Sequence, residues 1–136
     1  MTNVQPLRPT DNEKITINLG HVDLGRIDLL VQEGFYSNRT DFIRTAIRNQ
    51  LGAEQEQVTQ SVRRHTLEMG LLDLSAADLE RARAAGEVLD IRVVGLARIA
   101  SDVTPELARA TIGTIKVLGA LQASADIKAA LKDRMT

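Results

Sequence analysis

Residues 14–51 read KITINLGHVDLGRIDLLVQEGFYSNRTDFIRTAIRNQL, and the fold turns on how this stretch is parsed. Its first six residues alternate. Ile15, Ile17 and Leu19 fall to one side and Lys14, Thr16 and Asn18 to the other, which is the period of a half-buried strand closed by Gly20. From Val22 to Gln32 the apolar positions Leu24, Ile27, Leu30 and Val31 follow a helical spacing, and Gly34 supplies a stop. Asn38 is then placed to cap a second helix, with Asp41 at the capping-box position. That helix carries Phe42, Ile43, Ala46, Ile47 and Leu51 on one side. Nothing breaks it strongly after Gly52, so 53–70 reads as a helical linker.

One short strand and two helices bury too little surface to stand alone, and modules of this size usually need a second copy. The strand has unpaired edges, which antiparallel pairing about a two-fold axis would satisfy. The expected product is an intertwined homodimer. Its shared interior would hold Ile15, Ile17, Leu19, Ile27, Phe42, Ile43 and Ile47, and the outer face of its two-stranded ribbon would present Lys14, Thr16 and Asn18 twice. A major groove admits such a ribbon. Lysine can donate to guanine, asparagine can pair with adenine, and threonine offers both a hydroxyl and a methyl. The second helix would leave backbone N–H groups of Arg39, Thr40 and Asp41 facing outward as a phosphate seat, with the Arg39 charge beside it.

The segment from Gly34 through Tyr36, Ser37, Asn38, Arg39, Asp41 and Ile43-Arg44, following that strand, resembles the ribbon-helix-helix family of CopG and Arc type. The likeness covers residues 14–51. It implies a sequence-specific transcriptional regulator in which Lys14, Thr16 and Asn18 read bases while Asn38, Arg39 and Thr40 hold the phosphate backbone. The acidic Asp11 and Glu13 before the strand depart from the family's pattern, where a basic arm would favour DNA.

Composition narrows the alternatives. The chain has 136 residues, 43% of them hydrophobic and 26% charged, with one Tyr, two Phe and no Trp, so its core must be aliphatic. The three aromatics, Phe35, Tyr36 and Phe42, suggest one local packing cluster. Net charge is −1, with eight basic and eight acidic residues up to Thr66 and nine and ten after it, so DNA contact must rest on local arrangement of charge. There is no cysteine, which removes disulfides, thiolate metal sites and Cys nucleophiles. His21 and His65 lie far apart and 67–136 contains no His, so no metal and no cofactor are expected. No nucleophile, base and orienting acid stand together, and an enzyme is not expected. No apolar run approaches the length of a membrane span, and the polar, proline-bearing residues 1–12 read as a flexible arm of a cytoplasmic protein.

Beyond Gly70 the pattern changes to a small α/β region over 71–136, making the whole chain α+β. Ser75 and Asp78 form a capping signature for a helix ending at Gly86. Strands are expected near 88–99 and 112–121, with a helical turn from Pro105 and a terminal helix from Ala125. Gly95 and Gly119 open two similar stretches, each leading through Ala-Ser to a turn or helix; neither has a phosphate-loop form, and strand bends with close backbone packing explain the glycines better. Chance, a duplicated strand-turn-helix unit and part of a β-solenoid all stay open. The first expectation for this region is higher homo-oligomerisation of a repressor or autoregulator. Two others accompany it: an antitoxin whose C-terminal part binds a toxin, and a polymerising scaffold that uses the N-terminal module only to dimerise.

Overall fold

A computed structural model of the chain describes the backbone of Asn3–Val4 and residues 12–136. Most of the arm expected over 1–12 therefore lies outside the described residues. Two compact units are present, Glu13–Ser61 and Val62–Thr136 together with the opening residues. The boundary falls inside a helix, between Ser61 and Val62.

The first unit holds helices α1 (His21–Gln32) and α2 (Arg39–Ala53) and most of α3 (Gln55–Arg64). Glycine ends α1 as its sequence position implies. Gly34 takes a φ of +86°, letting its own N–H reach the Val31 carbonyl and that of Phe35 reach Leu30. Asn38 caps α2, its side chain accepting from the Asp41 N–H at 2.8 Å. The continuous helix expected after Gly52 is interrupted at Glu54, and α3 ends at Arg64. The aromatic cluster contains two rings, not three. Tyr36 and Phe42 meet edge to face at 5.0 Å, while Phe35 is exposed.

Residues 12–20 form neither helix nor strand. The strand expected over 14–19 is absent from the single chain, because a strand exists only through a hydrogen-bonded neighbour and none of the described residues supplies one.

The second unit is a four-stranded sheet in the order β1-β2-β3-β4, formed by Asn3–Val4, Glu68–Leu74, Leu89–Ile99 and Ile112–Gln122. The first pair is antiparallel and the other two parallel. Strand β2 corrects the sequence reading, which carried the linker helically through 70. EMGLLDL is short and its apolar residues Met69, Leu71, Leu72 and Leu74 keep no strict alternation, and pairing along its whole length with β3 makes it a strand. Helices α4 (Ala76–Ala84), α5 (Pro105–Thr111) and α6 (Ala125–Leu131) follow the three long strands in turn, and a 3₁₀ turn (Lys132–Arg134) follows α6. A hydroxyl caps each α-helix. Ser75, Thr104 and Ser124 each accept a backbone N–H three residues on, at 3.2 Å.

All three helices lie on one face of the sheet. Leu79, Leu107, Ala108, Ile127 and Leu131 pack with Leu72, Leu74, Ile91, Val93, Ala97, Ile99 and Ile115, which are the alternate residues of their strands. The echo between Gly95 and Gly119 gains a third member. Gly70, Gly95 and Gly119 sit in register across the sheet, all with φ between +121° and +140°. A Cβ on Gly95 would collide with the Gly70 carbonyl oxygen, and one on Gly119 with that of Gly95. The stacked strand-turn-helix unit therefore occurs three times, and the glycines of its second and third copies, Gly95 and Gly119, are dictated by backbone meeting backbone.

Candidate nucleic-acid interface

Within the first unit, Ile15, Ile17 and Leu19 border an open recess of about 610 Å³ whose other walls include Ile27, Leu30, Phe42, Ile43, Ala46 and Ile47. All seven residues expected in a dimer core thus line one surface. Ile27 is buried and Phe42 and Ile43 half-buried, whereas Ile15 and Ile17 are 72% and 57% exposed. Leu19 and Ile47 are exposed as well. In one chain this is an uncovered aliphatic face.

Lys14, Thr16 and Asn18 are exposed on the same segment. The start of α2 differs from its sequence reading in two respects. Of the three N–H groups expected to be open, that of Asp41 is consumed by the Asn38 cap, and the Asp41 carboxylate accepts from the Ser37 N–H at 2.9 Å. Moreover, the Arg39 guanidinium is clasped by Asp28 of α1 through two bonds of 2.7 and 2.8 Å. This bidentate bond holds the Asp28 carboxyl below the usual carboxylate range and raises Arg39. Sequence reasoning missed Asp28, since it sits eleven positions from Arg39 and only the α1–α2 turn brings them together. Thr40 and Arg44 are exposed on α2, the helix that carries Arg39.

A profile of the ribbon-helix-helix transcriptional regulator family matches residues 10–128. The chain belongs to that family. The match runs through the glycine-aligned strands as well as the N-terminal module, so the regulator's second unit, which the resemblance over 14–51 did not reach, is part of the family pattern. No curated protein and no solved structure matches the chain. No helix among the described residues is long and apolar enough to cross a membrane. No group of three or more His, Asp or Glu among them is placed to hold a metal ion.

Proposed function

We propose that two copies of this regulator pair residues 14–19 into an antiparallel ribbon that reads the DNA major groove. The observation that carries the reading is the uncovered recess, whose rim and floor are the aliphatic residues that a second ribbon would bury. Family membership supports the DNA-binding role. In the dimer Ile15, Ile17 and Leu19 turn inward onto α1 and α2, which leaves Lys14, Thr16 and Asn18 on the outer face to select bases. The phosphate backbone lies at the start of α2, where Asn38 orders the turn, the N–H groups of Arg39 and Thr40 face outward, and Arg39 supplies charge that Asp28 partly neutralises. The molecule acts in the cytoplasm as a non-enzymatic repressor or autoregulator. Its C-terminal unit joins dimers, so that neighbouring half-sites are held with avidity.

The antitoxin alternative expects a tail that orders on its toxin, whereas residues 62–136 carry their own buried core. Selection of bound duplexes from a random pool tests the main reading. A palindrome or short repeats should emerge, and affinity should fall steeply with added salt. Replacing Asn18 by Ala should relax preference at one base position by about 1–3 kcal/mol of discrimination. A pool that stays random, or binding indifferent to salt, overturns the proposal.

A further inference from the structure

Two edges of the C-terminal sheet differ. On the β2 side, β1 pairs with Leu72 and Asp73. On the β4 side, the chain terminus covers only the beginning of the strand, through a bridge from Met135 to Ile115 and a bond from the Thr136 N–H to the Ile115 carbonyl. Among the described residues nothing pairs with the outer edge of Lys116–Gln122. Exposed edges are normally blunted by proline, by several charges or by shortness. This one is seven residues long with Lys116 as its single charge, and Leu118 stands 51% exposed on it.

We infer that the Lys116–Gln122 edge pairs with the same edge of a second copy, antiparallel and centred on Gly119. The inference rests on the reading of the C-terminal unit as the part that assembles the regulator further. Three observations select a second copy and this register. First, Ile115 turns its carbonyl outward to meet Thr136, so by alternation Val117, Gly119 and Leu121 direct their backbone groups out as well. Second, Gly119 lies at the middle of the free edge with a φ of +121°, and a two-fold centred there sets this glycine against itself, so that no side chain is opposed to it. Third, the side chains complement one another about that centre. Lys116 faces Gln122, Val117 faces Leu121 and Leu118 faces Ala120, with no like charges opposed. Shifting the axis toward Lys116 would set the two lysines against each other.

On the other side of the sheet β1 already covers Leu72 and Asp73 of β2, so among the described residues β4 offers the longer unpaired run, and pairing that run with its like yields a two-fold contact rather than an open stack of sheets. A seven-residue ribbon is small beside the roughly 800 Å² per partner of a stable interface. Its strength comes from being the second attachment between chains already joined at their N-terminal modules.

The chain has no cysteine, which makes the register directly testable in the full-length protein. Leu118 and Ala120 direct their backbone groups toward β3, so in the proposed ribbon they form a non-hydrogen-bonded pair with Cα atoms about 4.5 Å apart. That is within the range a disulfide spans. The double variant Leu118→Cys with Ala120→Cys should give a covalent two-chain species on mild oxidation, while either single variant should give little. Light scattering of the unmodified protein over a concentration series reads assembly independently. Cross-linking with a mass above the dimer supports both the edge contact and the assembly reading. Cross-linking with a mass fixed at the dimer supports the edge contact, now between the two chains of one dimer, and overturns further assembly. A mass above the dimer without selective cross-linking overturns the edge contact alone, and neither signal overturns both.

Discussion

Arg39 and Asp28 carry the sharpest chemistry at the level of single residues. The two-pronged bond between them ties the start of α2 to α1 and subtracts charge from the place where a DNA phosphate is proposed to sit. Replacing Arg39 by Ala should weaken binding to all duplexes alike, since phosphate contacts carry no sequence information. Asp28→Asn should do the reverse, raising affinity across sequences and steepening its fall with salt, as read by a fluorescence-anisotropy titration. An unchanged salt slope in both variants would remove Arg39 from the interface. The clasp also has a pH signature. The Arg39 guanidinium holds Asp28 below the ordinary carboxylate range in the folded chain, so the clasp's contribution is complete above the pKa of the unfolded carboxyl and is lost as pH falls through the lowered one. Following the Arg39 side-chain resonances by NMR during acidification should locate this release, and Asp28→Asn should abolish it.

At the level of elements, glycine ladder and helix caps divide the labour in the C-terminal unit. The ladder permits β2, β3 and β4 to approach with their backbones in register, and the caps start each crossover helix in the same way. Gly95→Ala puts a side chain on a φ of +140° and drives its Cβ into the Gly70 carbonyl. Strain of this kind costs about 1–3 kcal/mol before the clash is counted. Urea unfolding should show a loss of at least that size, large enough to separate it from an ordinary surface change. Ser75→Ala removes the acceptor for the Asp78 N–H and half of a reciprocal cap, and should cost about 1 kcal/mol in the same measurement. Burial of the Asp78 carboxyl opposes its ionisation, yet the Ser75 N–H and hydroxyl and the Arg81 charge outweigh that and leave it lowered. Ser75→Ala should therefore also move acid unfolding to higher pH, because less stabilises the ionised carboxyl.

For the whole molecule, two units of different character share one chain. Residues 62–136 own a closed aliphatic core, whereas 13–61 leave their apolar residues around an uncovered recess. The difference predicts how a single change is distributed. Ile17→Asp touches no packed core of the single chain, Ile17 being 57% exposed, but sets a carboxylate in the interior that two copies are proposed to share. DNA binding and N-terminal dimerisation should be lost while the C-terminal unit keeps its protection in hydrogen exchange. Retained DNA binding in this variant would place the ribbon's apolar side elsewhere.

The order of local signals was legible in residues 14–51 and again in the later caps. Period, Gly34, the Asn38 cap, the Ser75–Asp78 box and the strands near 88–99 and 112–121 follow from backbone preference and side-chain alternation within a few neighbours. Strand β2 and the Asp28 clasp were not legible, nor was Gly70 as a third member of the ladder, whereas close backbone packing at Gly95 and Gly119 was. Glu68–Leu74 has no period of its own, and Asp28 and Arg39 are ordinary surface charges until a turn joins them. Gly70 resembles any loop glycine until it lies beside Gly95 and Gly119. Sequence alone determined which segments could be helix or strand, because that choice is made by local sterics and capping. Only the tertiary structure decided which backbones must touch, because contact between strands 24 and 25 residues apart is fixed by packing that no single segment contains.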